Sequence, residues 1–303
     1  MPRSGTSALT RVLSLSGAAL PTGMLGAGSG NTRGYWEPRK VLRLNNSILL
    51  RRGSGTYDPS LRLQGENALS ADEKAACISD IRAYLASLPK QPLIVIKDLQ
   101  ITALSELWFE AARDAGLGIA AVVAVRHPGE VSASLANLMG ARPELTSALW
   151  LKYNLLAERH TRHLPRVFVE YGSLLKDPQQ EIERIAKTLA VDLSTPDHEA
   201  IGEFLEEDLR HHRQSGPVPE ICGAEWVSTT YDALQAAAAD EPVDEFALDR
   251  VFDAYRASEH DFRTAFEDSY RHSNNLFVRL CRPFIWNLVE VVALLKRRRG
   301  TWA

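Results

Sequence analysis

The sequence predicts an α/β fold in which a central parallel sheet is flanked by helices. Three short apolar runs have the composition of strands buried on both faces, and each is followed by a stretch with helical periodicity. Strands that alternate with helices form βαβ units, whose strands run parallel. The 303 residues are 45% hydrophobic and 24% charged, values of an ordinary globular chain that exclude a disordered or fibrous one.

The N-terminal part of the chain is predicted to consist of helices joined by long loops. Apolar residues at helical spacing predict a helix over Ser7–Leu15, a second over Val41–Leu50 and a third over Ala71–Leu88. The segments 21–33 and 51–65 are rich in glycine and polar residues, which is typical of loops.

The alternating strands and helices occupy the middle of the chain. The predicted strands are Leu93–Ile96, Ile119–Val125 and Val167–Val169, and the helices that follow them are Thr102–Ala115, Gly129–Met139 and Pro178–Leu189. Beyond about Ser194 no further strand is indicated. We therefore divide the chain into a core over 1–193 and a mostly helical region over 194–303 that packs on the core.

Charge and cysteine content bear on partners and compartment. With 35 Lys and Arg against 38 Asp and Glu, the net charge of −3 gives no electrostatic footprint for nucleic acid. Cys77, Cys222 and Cys281 are widely spaced and form no CxxC pair, so neither a disulfide framework nor a zinc site is indicated. Polar residues interrupt the apolar stretch 8–20, which argues against a signal peptide. We expect a cytoplasmic protein.

The first candidate motif is Pro2–Ser7, immediately before a predicted helix. Backbone N–H groups at a helix N-terminus bind anions, and small residues let the backbone close on a phosphate. The motif GxxxxGK followed by Ser or Thr, which is typical of triphosphate-binding loops, is absent from this stretch, because no lysine precedes Lys40. By itself the string equally fits an ordinary helix cap.

The second candidate pairs Arg126 with Ser134. Arg126 follows the second predicted strand, and Ser134 lies eight residues on, about two turns into the next helix. In open α/β sheets the carboxyl ends of the strands are where ligands bind, so the guanidinium and the hydroxyl can converge there on one phosphate. Without a phosphate loop elsewhere, a surface arginine and a surface serine would be the better interpretation.

Together and in this order, these elements resemble the sulfotransferase family that uses 3′-phosphoadenosine 5′-phosphosulfate (PAPS). Pro2–Ser7 is similar to that family's phosphosulfate loop, and Arg126–Ser134 to its arginine and serine element for the 3′-phosphate. Val169–Pro178 is similar to the strand, tyrosine and Asp-Pro helix start near the adenine. The resemblance covers roughly residues 1–193. It implies a P-loop-like fold and a nucleotide site made of Arg3, Ser4, Gly5, Thr6, Ser7, Arg126, Ser134 and Tyr171.

The resemblance also implies which residues act on the acceptor. The chain resembles the bacterial branch, with Arg3 in the loop and a Gly-Tyr-Trp-Glu string that ends at Glu37, the implied general base. Lys97 ends the first predicted strand and is placed to reach a sulfuryl oxygen, as Arg3 is. Many relatives read Lys-Asp-Pro-Arg from this lysine, whereas this chain has Gln100 in place of the arginine. Helix capping by Glu37 and a solvent-facing Lys97 are the simpler alternatives.

The implied activity is transfer of a sulfuryl group from PAPS to a hydroxyl of a carbohydrate, glycolipid or other small acceptor, without a metal. A nucleotide kinase-like phosphotransferase is the alternative enzyme, but it would need a loop lysine. A degenerate nucleotide-binding protein is the non-enzymatic alternative, and the joint presence of Arg3, Glu37, Lys97, Arg126 and Ser134 argues against it. The sequence leaves the oligomeric state and the identity of the acceptor open.

Both ends of the chain carry a further expectation. Leu276–Leu295 is apolar but contains charges, and Lys296–Arg299 follows it, so it is no membrane span. It fits either an interfacial helix with a basic anchor, which would make the protein membrane-associated, or a helix packed on the core. In the family a central strand precedes the phosphate loop, and here the loop begins at Pro2. We expect a start at an internal methionine, the alternative being a variant without that strand.

Overall fold

A computed structural model describes residues 1–28, 31, 33–65, 68–206 and 224–274. It divides into two compact units, Met1–Asp253 and Ala254–Ala303, of which the second is described only to Asn274. A helix over Trp226–Ala238 packs on the strand Arg166–Glu170 and on the helix Pro143–Thr161, within the first unit. The division at residue 193 stays a prediction.

The described chain is a mixed α/β structure that is mostly helical, which agrees with the predicted α/β class. Its helices, in chain order, are α1 (Thr6–Leu15), α2 (Arg39–Arg51), α3 (Ala71–Ala86), α4 (Ser105–Asp114), α5 (Pro128–Met139), α6 (Pro143–Thr161), α7 (Tyr171–Lys176), α8 (Pro178–Leu189), α9 (His198–Glu206), α10 (Trp226–Ala238) and α11 (Glu245–Asn274). None of the helices searched within the described residues is long and apolar enough to cross a bilayer. The stretch Leu276–Leu295 and the basic run Lys296–Arg299 lie outside the described residues.

The parallel sheet is smaller than the sequence predicts. Strands β3 (Ala121–Val125) and β4 (Arg166–Glu170) pair in parallel, whereas β1 (Met24–Leu25) and β2 (Glu37–Pro38) form a short antiparallel pair. The prediction of a strand over Leu93–Ile96 is wrong: this segment makes only one isolated parallel bridge, between Ile94 and Ala19. A single residue of a loop is its pairing partner, and one bridge does not make a ladder.

Local sequence signals explain where several helices begin and end. Ser70 and Glu73 form a reciprocal capping box at the start of α3. Asp177 caps α8, and Pro178 occupies its first turn, where the missing N–H costs nothing. The helix α5 likewise starts at a proline, and it ends at Gly140 in the left-handed conformation.

The buried side chains form separate apolar clusters on the two sides of the site. One cluster joins α1, β3, β4, α8 and α9, and includes Leu9, Val12, Val169, Ile182 and Ile185. Another joins α2, α3 and α4, and includes Val41, Ile48, Ile81, Leu107 and Trp108. The helices α1 and α2, which carry the predicted site residues at their N-termini, are thus each anchored along an apolar face.

Candidate active site

The phosphate-loop candidate forms a tight turn that leads into α1. Arg3 has φ 65° and Gly5 has φ 82°, so the backbone of both lies in the left-handed region. Gly5 is the N-cap residue of α1 and no side chain caps the helix, whose first turn carries no acidic residue. The first-turn N–H groups therefore have no capping side chain to accept their hydrogen bonds, which suits an incoming anion.

Ser4 provides a second indication of an anion at this turn. Its side chain is buried, and its hydroxyl has no hydrogen-bond partner among the described residues. A buried hydroxyl without a partner costs on the order of 1–3 kcal/mol, so such groups usually have a role. A phosphate oxygen held by this turn would supply the missing partner.

Four of the predicted nucleotide-site residues meet beside this turn. Arg3 Nε donates to Ser134 Oγ at 2.8 Å, and Arg126 Nη1 donates to the carbonyl oxygen of Arg3 at 3.0 Å. The Arg126 guanidinium lies over the ring of Tyr171, 4.4 Å from its centroid. The structure thus brings together residues that are up to 168 positions apart in the chain, since Tyr171 lies beside the turn that contains Arg3.

Gly5 and Tyr171 are packed so closely that only glycine fits. A Cβ built on Gly5 would overlap Tyr171 Cδ2 and lie 2.6 Å from Tyr171 Cε2. Burial raises the pKa of the Tyr171 hydroxyl, and the nearby Arg126 opposes that shift. The ring therefore acts as a neutral wall against the loop rather than as an acid.

Arg126 also has a partner that the sequence analysis missed. Its Nε donates to Glu130 Oε2 at 2.7 Å, one helical turn further on, and both side chains are largely buried. An arginine followed four residues later by a glutamate at a helix start is a readable signal for this pair. A phosphate at this place would compete with the carboxylate for the guanidinium.

Two of the three predicted catalytic residues, Glu37 and Lys97, form a buried ion pair. Lys97 Nζ lies 2.6 Å from Glu37 Oε1, and the two side chains are 10% and 8% exposed. The ammonium also donates to the carbonyl oxygen of Tyr35 at 3.0 Å and to Ser7 Oγ at 3.4 Å. Ser7 Oγ itself donates to the Tyr35 carbonyl oxygen. Lys97 is therefore not the solvent-facing lysine of the simpler interpretation.

The electrostatic environment brings the pKa values of Glu37 and Lys97 closer together. Burial raises the pKa of Glu37, although the Lys97 charge and hydrogen bond act against it. Burial lowers the pKa of Lys97, with Glu37 acting in the opposite direction. Desolvation disfavours both charges and their attraction only partly compensates, so the carboxylate is a stronger base than a solvated one.

Local backbone geometry directs Glu37 into the interior. Trp36 has φ 54°, and its indole Nε1 donates to the carbonyl oxygen of Arg33 at 2.9 Å. The guanidinium of Arg11 lies 4.7 Å from the centre of the Trp36 ring. Trp36 is thereby held toward α1 and the next residue, in β2, points inward just before α2 begins.

A buried hydrogen-bond chain ties α2, which begins two residues after Glu37, to the segment that carries Lys97. Asn45, on α2, donates from Nδ2 to Asp98 Oδ1 at 3.0 Å and accepts at Oδ1 from Trp108 Nε1 at 2.9 Å. Asp98 Oδ1 also accepts from the amide of Gln100 at 2.8 Å. The sequence analysis missed Asn45 and Trp108, and nothing local in the sequence signals a contact across 53 residues.

Gln100 holds a loop in place. Its Nε2 donates to Asn46 Oδ1 and to Thr56 Oγ1, each at 2.7 Å. From α6, Lys152 Nζ donates to the carbonyl oxygen of Asp58 at 2.7 Å and Tyr153 to that of Thr56 at 2.8 Å. The loop 54–60 is thus anchored by buried side chains.

Thr6 is the one predicted residue that lies apart from these contacts. It begins α1, its carbonyl oxygen accepts from Thr10 Oγ1, and it lines a large cavity behind the helix start. The described residues contain no group of three or more His, Cys, Asp or Glu side chains that could hold a metal ion. Comparison with known proteins finds no matching family model, no matching curated protein and no matching solved structure.

Proposed function

We propose that this chain is a PAPS-dependent sulfotransferase that transfers a sulfuryl group to a hydroxyl of a carbohydrate, glycolipid or other small acceptor. The observation that carries the proposal is the buried Lys97–Glu37 pair beside the start of α1. The same turn is bordered by Arg3, Ser134 and Arg126. The proposal includes a P-loop-like sulfotransferase fold, which the two-stranded sheet does not by itself define.

The residues at the turn suit a nucleoside that carries phosphate groups at its 3′ and 5′ positions. The uncapped helix start and the unpartnered Ser4 hydroxyl suit the 5′-phosphosulfate. Arg126 and Ser134 suit the 3′-phosphate, and Tyr171 offers an aromatic face beside them. The Glu130 carboxylate opposes an anion here, and Arg126 has to exchange it for phosphate oxygens.

In the proposed mechanism Glu37 accepts the proton of the acceptor hydroxyl, a contribution worth typically 10²- to 10⁴-fold in rate. PAPS supplies the sulfuryl group, whose transfer resembles phosphoryl transfer in depending on positioning and preorganised charge. Lys97 and Arg3 stabilise the negative charge that develops on the sulfuryl oxygens and on the leaving phosphate. The amides of residues 4–7 hold that phosphate. Glu37 must release Lys97 as the acceptor arrives.

The binding partners and the cellular location of the protein remain predictions. We expect a small-molecule, glycan or glycolipid acceptor, no nucleic acid and a cytoplasmic protein. Peripheral membrane contact through the C-terminal basic segment concerns residues outside the described part of the chain.

The decisive experiment follows labelled sulfate from PAPS into a bacterial glycan and lipid extract, with EDTA present. We expect labelled product, whereas a phosphotransferase would instead need ATP and magnesium. Glu37→Gln should abolish turnover yet retain binding of the desulfated nucleotide, while Arg126→Ala should weaken that binding. Glu110→Gln and Arg82→Ala are matched controls on exposed parts of α4 and α3.

Two results would count against the proposal. A Glu37→Gln variant with unchanged kcat removes the base assignment. A protein that does not bind the desulfated nucleotide at millimolar concentration, by calorimetry, loses the sulfotransferase assignment altogether.

A further inference from the structure

Positive charge is concentrated in the part of the chain that contains Glu37. The first 57 residues carry eight Lys and Arg side chains and a single acidic side chain, that of Glu37. Since the whole chain has 35 Lys and Arg against 38 Asp and Glu, the rest of it is acidic. Glu37 is bound to Lys97, so its carboxylate does not offset the other cations of the segment. The small net charge therefore conceals a strongly basic segment.

Helix α2 collects half of these cations on one exposed face. Six of its 13 residues are exposed, and four of the six are basic, namely Arg39, Lys40, Arg43 and Arg51. At about 100° per residue, the six positions fall within an arc of about 120°. The other two exposed residues are Ser47 and Leu50, so the face contains no acid. We call it the basic face of α2.

The basic face is unfavourable for the helix itself. Arg39 and Lys40 lie in the first turn, where the positive end of the helix dipole opposes them and where no acidic residue is present. Arg39 and Arg43 are four residues apart, a spacing at which like charges repel. Within the described part of the chain, none of the three side chains has an acidic partner. Cations kept in such positions indicate a ligand that supplies the negative charge.

The length of the basic face selects an extended ligand. From Arg39 to Arg51 the helix rises about 18 Å, at about 1.5 Å per residue. Arg51 is held along this face, because its Nε donates to the carbonyl oxygen of Ser47 at 3.1 Å and its Nη2 to Ser47 Oγ at 3.3 Å. A single small anion contacts only one end of the face. A chain with repeated anionic groups can contact all of it.

The position of the basic face narrows the class of ligand further. Arg39 lies two residues after Glu37, whose side chain is only 8% exposed. A ligand that extends from the face to this carboxylate has to be narrow and flexible, which excludes a bilayer surface and a nucleic acid duplex. The face has no aromatic side chain on which the bases of a single strand would stack. A chain of sugars that carry carboxylate or sulfate groups meets these conditions.

We propose that the basic face of α2 binds an acidic glycan and that this glycan is the acceptor of the sulfuryl group. Its anionic groups pair with the four cations, while one of its hydroxyl groups reaches Glu37. In the transfer the hydroxyl oxygen forms the new bond to sulfur, its proton passes to Glu37, and the bond from sulfur to the leaving phosphate of PAPS breaks. The role as acceptor rests on the proposed function, whereas the binding surface does not.

Calorimetry with an oligogalacturonate long enough to span α2 tests the binding surface. This probe has a carboxylate on every sugar, and a maltooligosaccharide of equal length is its neutral counterpart. We expect only the acidic probe to bind, with an affinity that falls as salt is added. A variant that combines Arg39→Gln, Lys40→Gln and Arg43→Gln should bind it about tenfold more weakly, the joint effect of three exposed ion pairs.

A variant that loses the same charge elsewhere is the matched control. Arg82, Lys90 and Arg113 are exposed outside α2, and their joint replacement by glutamine should leave binding unchanged. Urea unfolding is the second readout. The α2 variant should unfold at the same or a higher urea concentration than the unmodified protein, because it removes repulsion between like charges.

Four results would overturn the proposal. Equal affinity for the acidic and the neutral probe would mean that charge plays no part in binding. Equal weakening by the α2 variant and the control variant would mean that binding reflects only the net charge. A lower urea midpoint of the α2 variant would mean that these side chains stabilise the fold. If the α2 variant loses binding to phosphatidylglycerol vesicles or to a single-stranded oligonucleotide, and the oligogalacturonate never binds, the face belongs to a membrane or nucleic acid site.

Failure of this inference is distinguishable from failure of the proposed function. A protein that binds the desulfated nucleotide but not the acidic probe would overturn only the acidic acceptor. A protein that binds the acidic probe through α2 but not the nucleotide would overturn the sulfotransferase assignment, and with it the role of the glycan as acceptor.

Discussion

Replacement of Gly5 by alanine separates backbone strain from the close contact with Tyr171. At φ 82° a residue with a Cβ pays about 1–2 kcal/mol. The new methyl group would also lie 2.6 Å from Tyr171 Cε2, and the ring is held beneath the Arg126 guanidinium. Overpacking of this kind adds about 1–3 kcal/mol. Gly5→Ala should therefore lower the free energy of unfolding by about 2–5 kcal/mol, the sum of the two costs.

Gly140 offers a matched control for this substitution. Its φ is 67°, and no atom lies within 4 Å of a Cβ built there. Gly140→Ala should cost only the strain, about 1–2 kcal/mol in urea unfolding. The excess at Gly5 should disappear when both substitutions are compared in a Tyr171→Ala background. Equal destabilisation by Gly5→Ala and Gly140→Ala would refute the reasoning, because the contact with the ring would then carry no energy.

The remaining predictions concern the charged groups and their support. The rate of sulfuryl transfer should rise as the pH passes a Glu37 pKa above the ordinary 4.5, because the base must be deprotonated. The rate should fall as the pH passes a Lys97 pKa below the ordinary 10.5, because the cation must be retained. A pH–rate profile measures both limbs. Glu130→Gln should tighten binding of the desulfated nucleotide about fivefold in calorimetry, because it frees Arg126 from a competing carboxylate worth about 1 kcal/mol. Asn45→Ala should lower the free energy of urea unfolding by at least about 2 kcal/mol, because two buried partners lose a hydrogen bond.

A different result would contradict each of these three predictions. An acidic limb at or below 4.5 would mean that burial does not control the Glu37 carboxyl group. Unchanged or weaker nucleotide binding in Glu130→Gln would mean that the carboxylate orients Arg126 rather than competing for it. Asn45→Ala with unchanged stability would remove the role of Asn45 in joining α2 to the segment that carries Lys97.

Residues that form short motifs at the ends of elements were well predicted from sequence. The helix Pro178–Leu189 has its predicted bounds, because an Asp-Pro start is a strong local signal. Arg3, Ser134 and Arg126 converge as the strand and helix order implies, since parallel strands present their carboxyl ends at one edge. Whether these residues bind a nucleotide stays a prediction.

The helix α6 shows why other parts of the fold were not predicted. Its central part, residues 149–156, is buried on all sides, with Trp150, Tyr153 and Leu156 all almost fully enclosed. A helix that is covered all round has no polar face, and its sequence therefore lacks the periodicity by which an amphipathic helix is recognised. Its contribution to the loop 54–60 could not be read from the sequence for the same reason.

The prediction of a strand over Leu93–Ile96 was wrong for a different reason. Its composition is that of a strand, and it is extended, but a strand is defined by its neighbours as well as by its own residues. The buried contacts of Asn45 show the same limit. Pairing of a side chain with a neighbour that is distant in the chain depends on tertiary geometry, which a single sequence does not contain.

The anchored loop 54–60 has a consequence for protein engineering. Gln100, Lys152 and Tyr153 reach it from two different parts of the chain and hold its backbone carbonyl and hydroxyl groups. A library that randomises the loop alone would leave the amide of Gln100 without the Thr56 hydroxyl as its partner. Transplanting the loop together with these three supporting residues is the smaller perturbation, because the loop and these residues form one hydrogen-bonded unit.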